Sequence, residues 1–223
     1  MKRKSILLCT LLILCLFVAC GASDDGENTL DTITGTNEVE AETEADLASQ
    51  MTVEQYVIKG ESGYAEYFIV LTNNSNLTVK VDVNAIAKDN TGNIIGTADS
   101  EKDAIGDGET VCLRNRFSGI EGVESFEYSL EVSEDAYFKS VVKDIQVQES
   151  RTDKKIILTC ANNGDEIACD VEAHILFFKN GEIVGYEWTD IGDFEMSPGA
   201  TISEEIIPSG EYDDIKVFIH GYK

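Results

Sequence analysis

Basic residues are scarce in this chain. Of its 223 residues, 17 are Lys or Arg and 42 are Asp or Glu, giving a net charge of −25. Binding a phosphate backbone requires clustered cations, so nucleic acid is excluded as a partner. Histidine is scarcer still, with two in the chain, which leaves little for imidazole acid–base chemistry or a His-rich metal centre. There are two prolines and one tryptophan. The sequence has no glycine-rich phosphate loop, nucleophile elbow or zinc-binding His motif. It therefore points to no catalytic residue, cofactor or metal, and the expectation is a protein that is not an enzyme. Apolar residues are not lacking: at 43 % they are too many for a disordered chain and enough for one or two domains with real cores.

The N-terminus carries an address. Lys2, Arg3 and Lys4 precede an apolar run from Ile6 to Val18. As a helix that run spans about 20 Å, short of the roughly 30 Å hydrocarbon core, and so reads as a secretory signal rather than a membrane span. Its end, Phe17-Val18-Ala19-Cys20-Gly21, resembles the lipobox of bacterial lipoproteins, with Phe17 where Leu is usual. The resemblance implies cleavage before Cys20 and lipidation of its thiol, with palmitate-type chains anchoring the protein on the extracytoplasmic face of the cell membrane. Removing residues 1–19 takes away three positive charges and no negative ones, leaving −28. Anionic head groups repel such a chain, so the membrane contact falls to the acyl groups.

Residues 21–50 contain nine Asp or Glu, no Lys or Arg, and no apolar period, the composition of an acidic disordered tether. Beyond it the sequence repeats. Ile69-Val-Leu-Thr-Asn-Asn74 parallels Leu158-Thr-Cys-Ala-Asn-Asn163. Val79, Val81, Val83, Ala85 and Ala87 recur at every second position, as do Cys169, Val171, Ala173, Ile175 and Phe177. Thr91-Gly92-Asn93 and Asn180-Gly181-Glu182 mark hairpins, and the offset between copies stays near 90 residues. Period-two alternation with turn residues at short intervals describes strands with one face buried, and no helical period runs longer than a turn.

The expected fold is all-β: two tandem immunoglobulin-like antiparallel sandwiches, residues 51–135 and 136–223. The Asn-Asn turn, the long alternating strand, the Asn/Gly hairpin and the later Gly108-Glu-Thr step together resemble the FxLYD family of bacterial surface lipoproteins. The resemblance runs over about Tyr64–Val132 and Ile156–Gly221. In Ala85-Ile-Ala-Lys-Asp89 only the final Asp of the signature remains. That family implies an Ig-like sandwich and no common activity.

Three cysteines, Cys112, Cys160 and Cys169, follow the leader and Cys20. Cys160 and Cys169 fall at inward positions flanking the second Asn-Asn turn, as free core thiols or as a disulfide. Acidic residues crowd one loop region (Asp99, Glu101, Asp103, Asp107, Glu109) and its repeat (Asp190, Asp193, Glu195), as a solvated rim or as oxygen ligands for calcium. The sharpest contrast between the copies lies on one sheet face. Repeat one carries Asn84, Ile86, Lys88, Thr97, Asp99, Ser129, Glu131 and Ser133 at outward positions. Repeat two carries His174, Leu176, Phe178, Tyr186, Trp188, Phe218, His220 and Tyr222. A contiguous aromatic face marks contact with repeat one, with a second copy, or with a protein or glycan partner; a one-residue register slip would instead make it core. The function expected is that of a cell-surface lipoprotein, a non-catalytic binding or envelope accessory module using this face. The alternative is an accessory subunit of an extracytoplasmic enzyme or transport system.

Overall fold

The computed structural model describes residues 44–223 except Glu61 and Asp153. The leader, Cys20 and most of the acidic tether lie outside the described residues. The elements of the first half are α1 (Glu44–Ser49), β1 (Met51–Lys59), β2 (Ala65–Asn73), β3 (Val79–Asp89), β4 (Ile94–Ile105), β5 (Thr110–Phe117) and β6 (Val123–Glu134). The second half contains β7 (Ile145–Arg151), β8 (Ile156–Asn162), β9 (Ala168–Lys179), β10 (Glu182–Asp190), β11 (Glu195–Met196), β12 (Thr201–Ile206) and β13 (Asp214–Tyr222). All strand pairs are antiparallel.

Strands β1-β2-β5 and β4-β3-β6 form two three-stranded sheets. Tyr67, Ile69 and Leu71 of β2 meet Val81, Val83 and Ala85 of β3 in a shared core, so these sheets make one sandwich. The second half repeats the plan: β7-β8-β12 packs on a sheet in which β9 is flanked by β13 and by β10 with β11. Leu158 and Cys160 of β8 meet Val171, Ala173 and Ile175 of β9. The expected all-β architecture is what the structure has.

The duplicated Asn is the staple of each sandwich. Asn73 Nδ2 donates to Leu77 O and Ile105 O, both at 2.9 Å. Asn162 Nδ2 donates to Glu166 O at 2.9 Å and Met196 O at 2.8 Å. The backbones of the two residues are used alike. Asn73 N bonds Glu109 O and its carbonyl accepts from Gly108; Asn162 N bonds Ala200 O and its carbonyl accepts from Gly199. Gly108 and Gly199 sit at φ +73° and +76°, a left-handed conformation that a side chain would strain. One short amide thus closes the corresponding end of each sandwich's core.

Two expectations are corrected. The tether does not extend to residue 50, because Glu44–Ser49 forms a helix and Leu47, 2 % exposed, enters the first core. Six residues cannot sustain a helix alone; burial of the Leu47 side chain, about 1.5–3 kcal/mol, holds it down. The second correction concerns the inward position expected for Cys169 and, with it, the disulfide alternative. Cys112, Cys160 and Cys169 are all free thiols. Strand β9 carries an extra residue where Cys169 pairs with Tyr222 and Glu172 with His220, and Asp170 there adopts φ +45°. This bulge breaks the alternation. Cys160 stays in the core while Cys169 is half-exposed on the strand's other side, so the two thiols do not face one another.

Candidate functional site

Strand β9 is buried on both faces from Ala173 to Phe178, whereas its counterpart β3 alternates between buried and wet positions. The same asymmetry marks β2, buried on both faces from Ala65 to Leu71, against an alternating β8. The two doubly buried strands meet. Phe68, Val70 and Cys112, on the outer face of the β1-β2-β5 sheet, pack against Leu176, Phe178 and Phe218, with Tyr56, Ile58, Ile183 and Tyr186 half-buried around them. Both sandwiches belong to one compact unit, a stack of four sheets with this third apolar cluster in the middle.

Ring contacts and ion pairs border the cluster. Phe68 and Tyr186 have centroids 4.9 Å apart, and Tyr56 meets Phe178 edge-on at 5.2 Å. The Arg114 guanidinium lies 4.7 Å above the Tyr186 ring while Arg114 Nε donates to Glu66 at 2.7 Å. Lys216 reaches back to Glu54 at 2.7 Å and donates to the Tyr56 hydroxyl at 2.6 Å. On the opposite border Lys102 of β4 pairs with Glu172 of β9, both largely buried.

Glu172 is the hub of that border. Trp188 Nε1 donates to its Oε2 at 2.8 Å, and His174 Nε2 lies 3.2 Å from its Oε1, off the line of a hydrogen bond. Tyr186 and His174 Nδ1 are 2.8 Å apart. The hydroxyl as donor to Nδ1 leaves the His174 proton on Nε2, facing the carboxylate rather than presenting it a second lone pair. Burial pushes the Glu172 carboxyl up, but His174 and Lys102 outweigh it and hold the group well below the usual range. His220, 5 % exposed, is lowered to about 4, mainly by burial. Its Nδ1 and His174 Nε2 are the buried side-chain atoms without a hydrogen-bond partner among the described residues. Burial also pushes the Cys112 thiol up to about 12.

The aromatic face foreseen in repeat two is therefore brought together, but it does not stand open to an outside partner. Leu176, Phe178, Phe218, His174 and His220 are buried and Tyr186 is half-buried. The covering surface is the first sandwich. Tyr222 sits at the end of the face, its ring tilted against that of Phe138 with centroids 4.6 Å apart, and is paired with Ser140 of the inter-sandwich linker. Trp188 differs from the rest: on the rim of the face, it remains 48 % exposed.

Reading the sequence found one side of this contact and missed the other: Tyr56, Glu66, Phe68, Val70, Cys112 and Arg114. The available signal was the unbroken run Ala65-Glu-Tyr-Phe-Ile-Val-Leu71, since strands buried on both faces lose alternation. The acidic loops are partly occupied by internal bonds. Glu109, 6 % exposed, accepts from Gly106 N at 2.8 Å and from the Ser140 hydroxyl. Among the described residues, no group of three His, Cys, Asp or Glu is placed to hold a metal ion, and no helix is long and apolar enough to cross a membrane.

No family model matches the chain, and no curated protein does. A solved structure similar to it is a red sea bream transglutaminase, at 6 % identity and a TM-score of 0.24, covering 76 % of this chain and 29 % of that one. The chain spans less than a third of that structure's length. A likeness this faint carries no functional argument.

Proposed function

We propose that this chain is a bacterial cell-surface lipoprotein, FxLYD-like in its repeats, that works as a non-catalytic binding or envelope accessory module. The observation that carries the reading is the way the aromatic face is used. Its apolar centre joins the two sandwiches into one block, and its exposed remainder, Trp188, lies on the rim between them. A block of this kind, hung from the membrane by acyl chains on Cys20 and the acidic segment after it, holds a fixed recognition surface outside the cell without supplying reactive groups. Two acyl chains suffice for stable anchoring where one does not. The reading is tested by fractionating cells that express the wild-type chain or Cys20→Ala. Wild type is expected in the membrane fraction, labelled by a clickable palmitate analogue and cleaved by protease added to intact cells. Cys20→Ala is expected to lose the label and leave the membrane fraction. An unlabelled wild-type protein, or one shielded from external protease, overturns it.

A further inference from the structure

Trp188 borders a cleft of about 330 Å³ between the sandwiches, at the small end of the roughly 300–1,000 Å³ that ligand sites span. Tyr186 and His174 of the second sandwich share one wall with it; the other, from the first sandwich, has an apolar floor of Cys112 and Leu113 and a polar edge of Ser100, Glu101, Lys102 and Arg114. The indole is held in place, because its Nε1 donates to Glu172 at 2.8 Å, yet it remains 48 % exposed. Tyr137 and Phe194 are more exposed still; Trp188 is set apart by the hydrogen bond that fixes its plane at the mouth of a cleft. At the matching register of the first sandwich, the cross-strand pair Asn84 and Asp99 stands where His174 and Trp188 pair in the second, so the fold itself does not call for an indole here.

We infer that this cleft binds a neutral sugar ring, stacked on Trp188 and hydrogen-bonded by the polar edge opposite. The inference rests on the surface-binding function proposed above and names its ligand class. Charge decides the class. Both cations of the cleft are already paired, Lys102 with Glu172 and Arg114 with Glu66, so a charged ligand of either sign has to displace a partner from a half-buried ion pair. An anion also meets the field of a chain of net charge −25. A neutral pyranose meets neither obstacle. Its C–H face covers the indole, while its hydroxyl or acetamido groups accept from N–H donors of Lys102 and Arg114 that those ion pairs leave over and donate to Glu101. The volume limits the contact to one or two rings, and with so small a buried area affinity is expected in the range of roughly 0.1–1 mM.

Trp188 is the chain's single tryptophan among eight tyrosines, so emission excited selectively at the indole reads this cleft. The detergent-solubilised full-length protein is titrated with chitotetraose and, separately, maltotetraose. A saturable change in Trp188 emission with at least one of them is expected, and the comparison tells whether an acetamido group is required. By NMR titration, Trp188→Ala is expected to weaken binding at least about tenfold. Glu101→Ala, an exposed change that leaves the seam intact, is expected to weaken it about fivefold. Three results overturn the inference: no response to either sugar at millimolar concentration, unchanged affinity in both variants, or an emission change that follows protein concentration rather than sugar and so reports self-association. The fractionation of Cys20→Ala reads location and this titration reads binding, so the failure of one is distinct from the failure of the other.

Discussion

Leu176 and Ile86 occupy the same register on sister strands. Leu176 pairs across to Tyr186 and Lys216, Ile86 to Thr97 and Glu127. Both point away from their own sandwich's core. Leu176 is 0 % exposed because the first sandwich covers it, and Ile86 is half-wet. If the seam contributes to folding as a core does, Leu176→Ala costs about 2–5 kcal/mol, the transfer of the lost methyl groups plus the cavity they leave. Ile86→Ala stays below about 1 kcal/mol. With a urea m-value of about 2 kcal/mol/M, the first change moves the unfolding midpoint by roughly 1–2.5 M and the second by less than about 0.5 M. Far-ultraviolet circular dichroism follows the strands of both sandwiches and Trp188 fluorescence follows the seam, so coincident curves would report one cooperative unit. Equal costs for the two substitutions, or a fluorescence transition that finishes well before the circular dichroism changes, would refute the argument that the sandwiches are joined through this face.

Asn73→Ala and Asn162→Ala each strand two carbonyls at the end of a core, and each is expected to lower stability by at least about 1–3 kcal/mol by calorimetry; a neutral result at either site would show that the amide does not close the sheets. His220 supplies a pH dependence. Burial lowers its folded-state value from 6.5 to about 4, so below pH 6.5 protons favour the unfolded chain and stability falls as pH drops from about 6.5 towards 4. Glu172, held below the ordinary carboxylate range, adds its own loss below about pH 4.5. Chemical denaturation across this interval is expected to show a steeper decline for wild type than for His220→Gln, and parallel curves would exclude the imidazole as the cause.

Much of this architecture was legible because alternation is a local signal. The inward residues of β3, from Val79 to Ala87, could be picked out one by one, and the repeated Asn-Asn turn fixed where the second copy begins. The parity of the aromatic face could be read in the same way, since His174, Leu176 and Phe178 alternate with the inward Ala173, Ile175 and Phe177. What covers that face was harder to see, because the cover lies about 105 residues earlier in a strand whose pattern is featureless for the very reason that both its sides are buried. Phe68 and Val70 look like ordinary core residues until the counterpart strand shows Ile157 and Thr159 in their place. Cys169 went astray for a different reason. A single left-handed residue, Asp170, inverts every side chain on one side of it, and nothing in the composition of Ala168-Cys-Asp-Val171 announces that.

The union of the two sandwiches joins unlike surfaces: the β1-β2-β5 side of one copy against the β9-centred side of the other. Head-to-tail contacts of this kind have no intrinsic stopping point, and identical repeats bearing both sticky sides would grow into filaments. Here each copy keeps only one. Where the first copy joins with Phe68, Val70, Cys112 and Arg114, the second ends its stack in Ile157, Thr159, Ser203 and Glu205, with Thr159 and Ser203 bonded to each other at 2.8 Å. At the far end, Asn84, Lys88 and Asp99 take the place of His174, Phe178 and Trp188. The outward faces at the two ends of the stack thus carry more polar side chains than the faces that join, so each copy presents only one of the two complementary apolar sides.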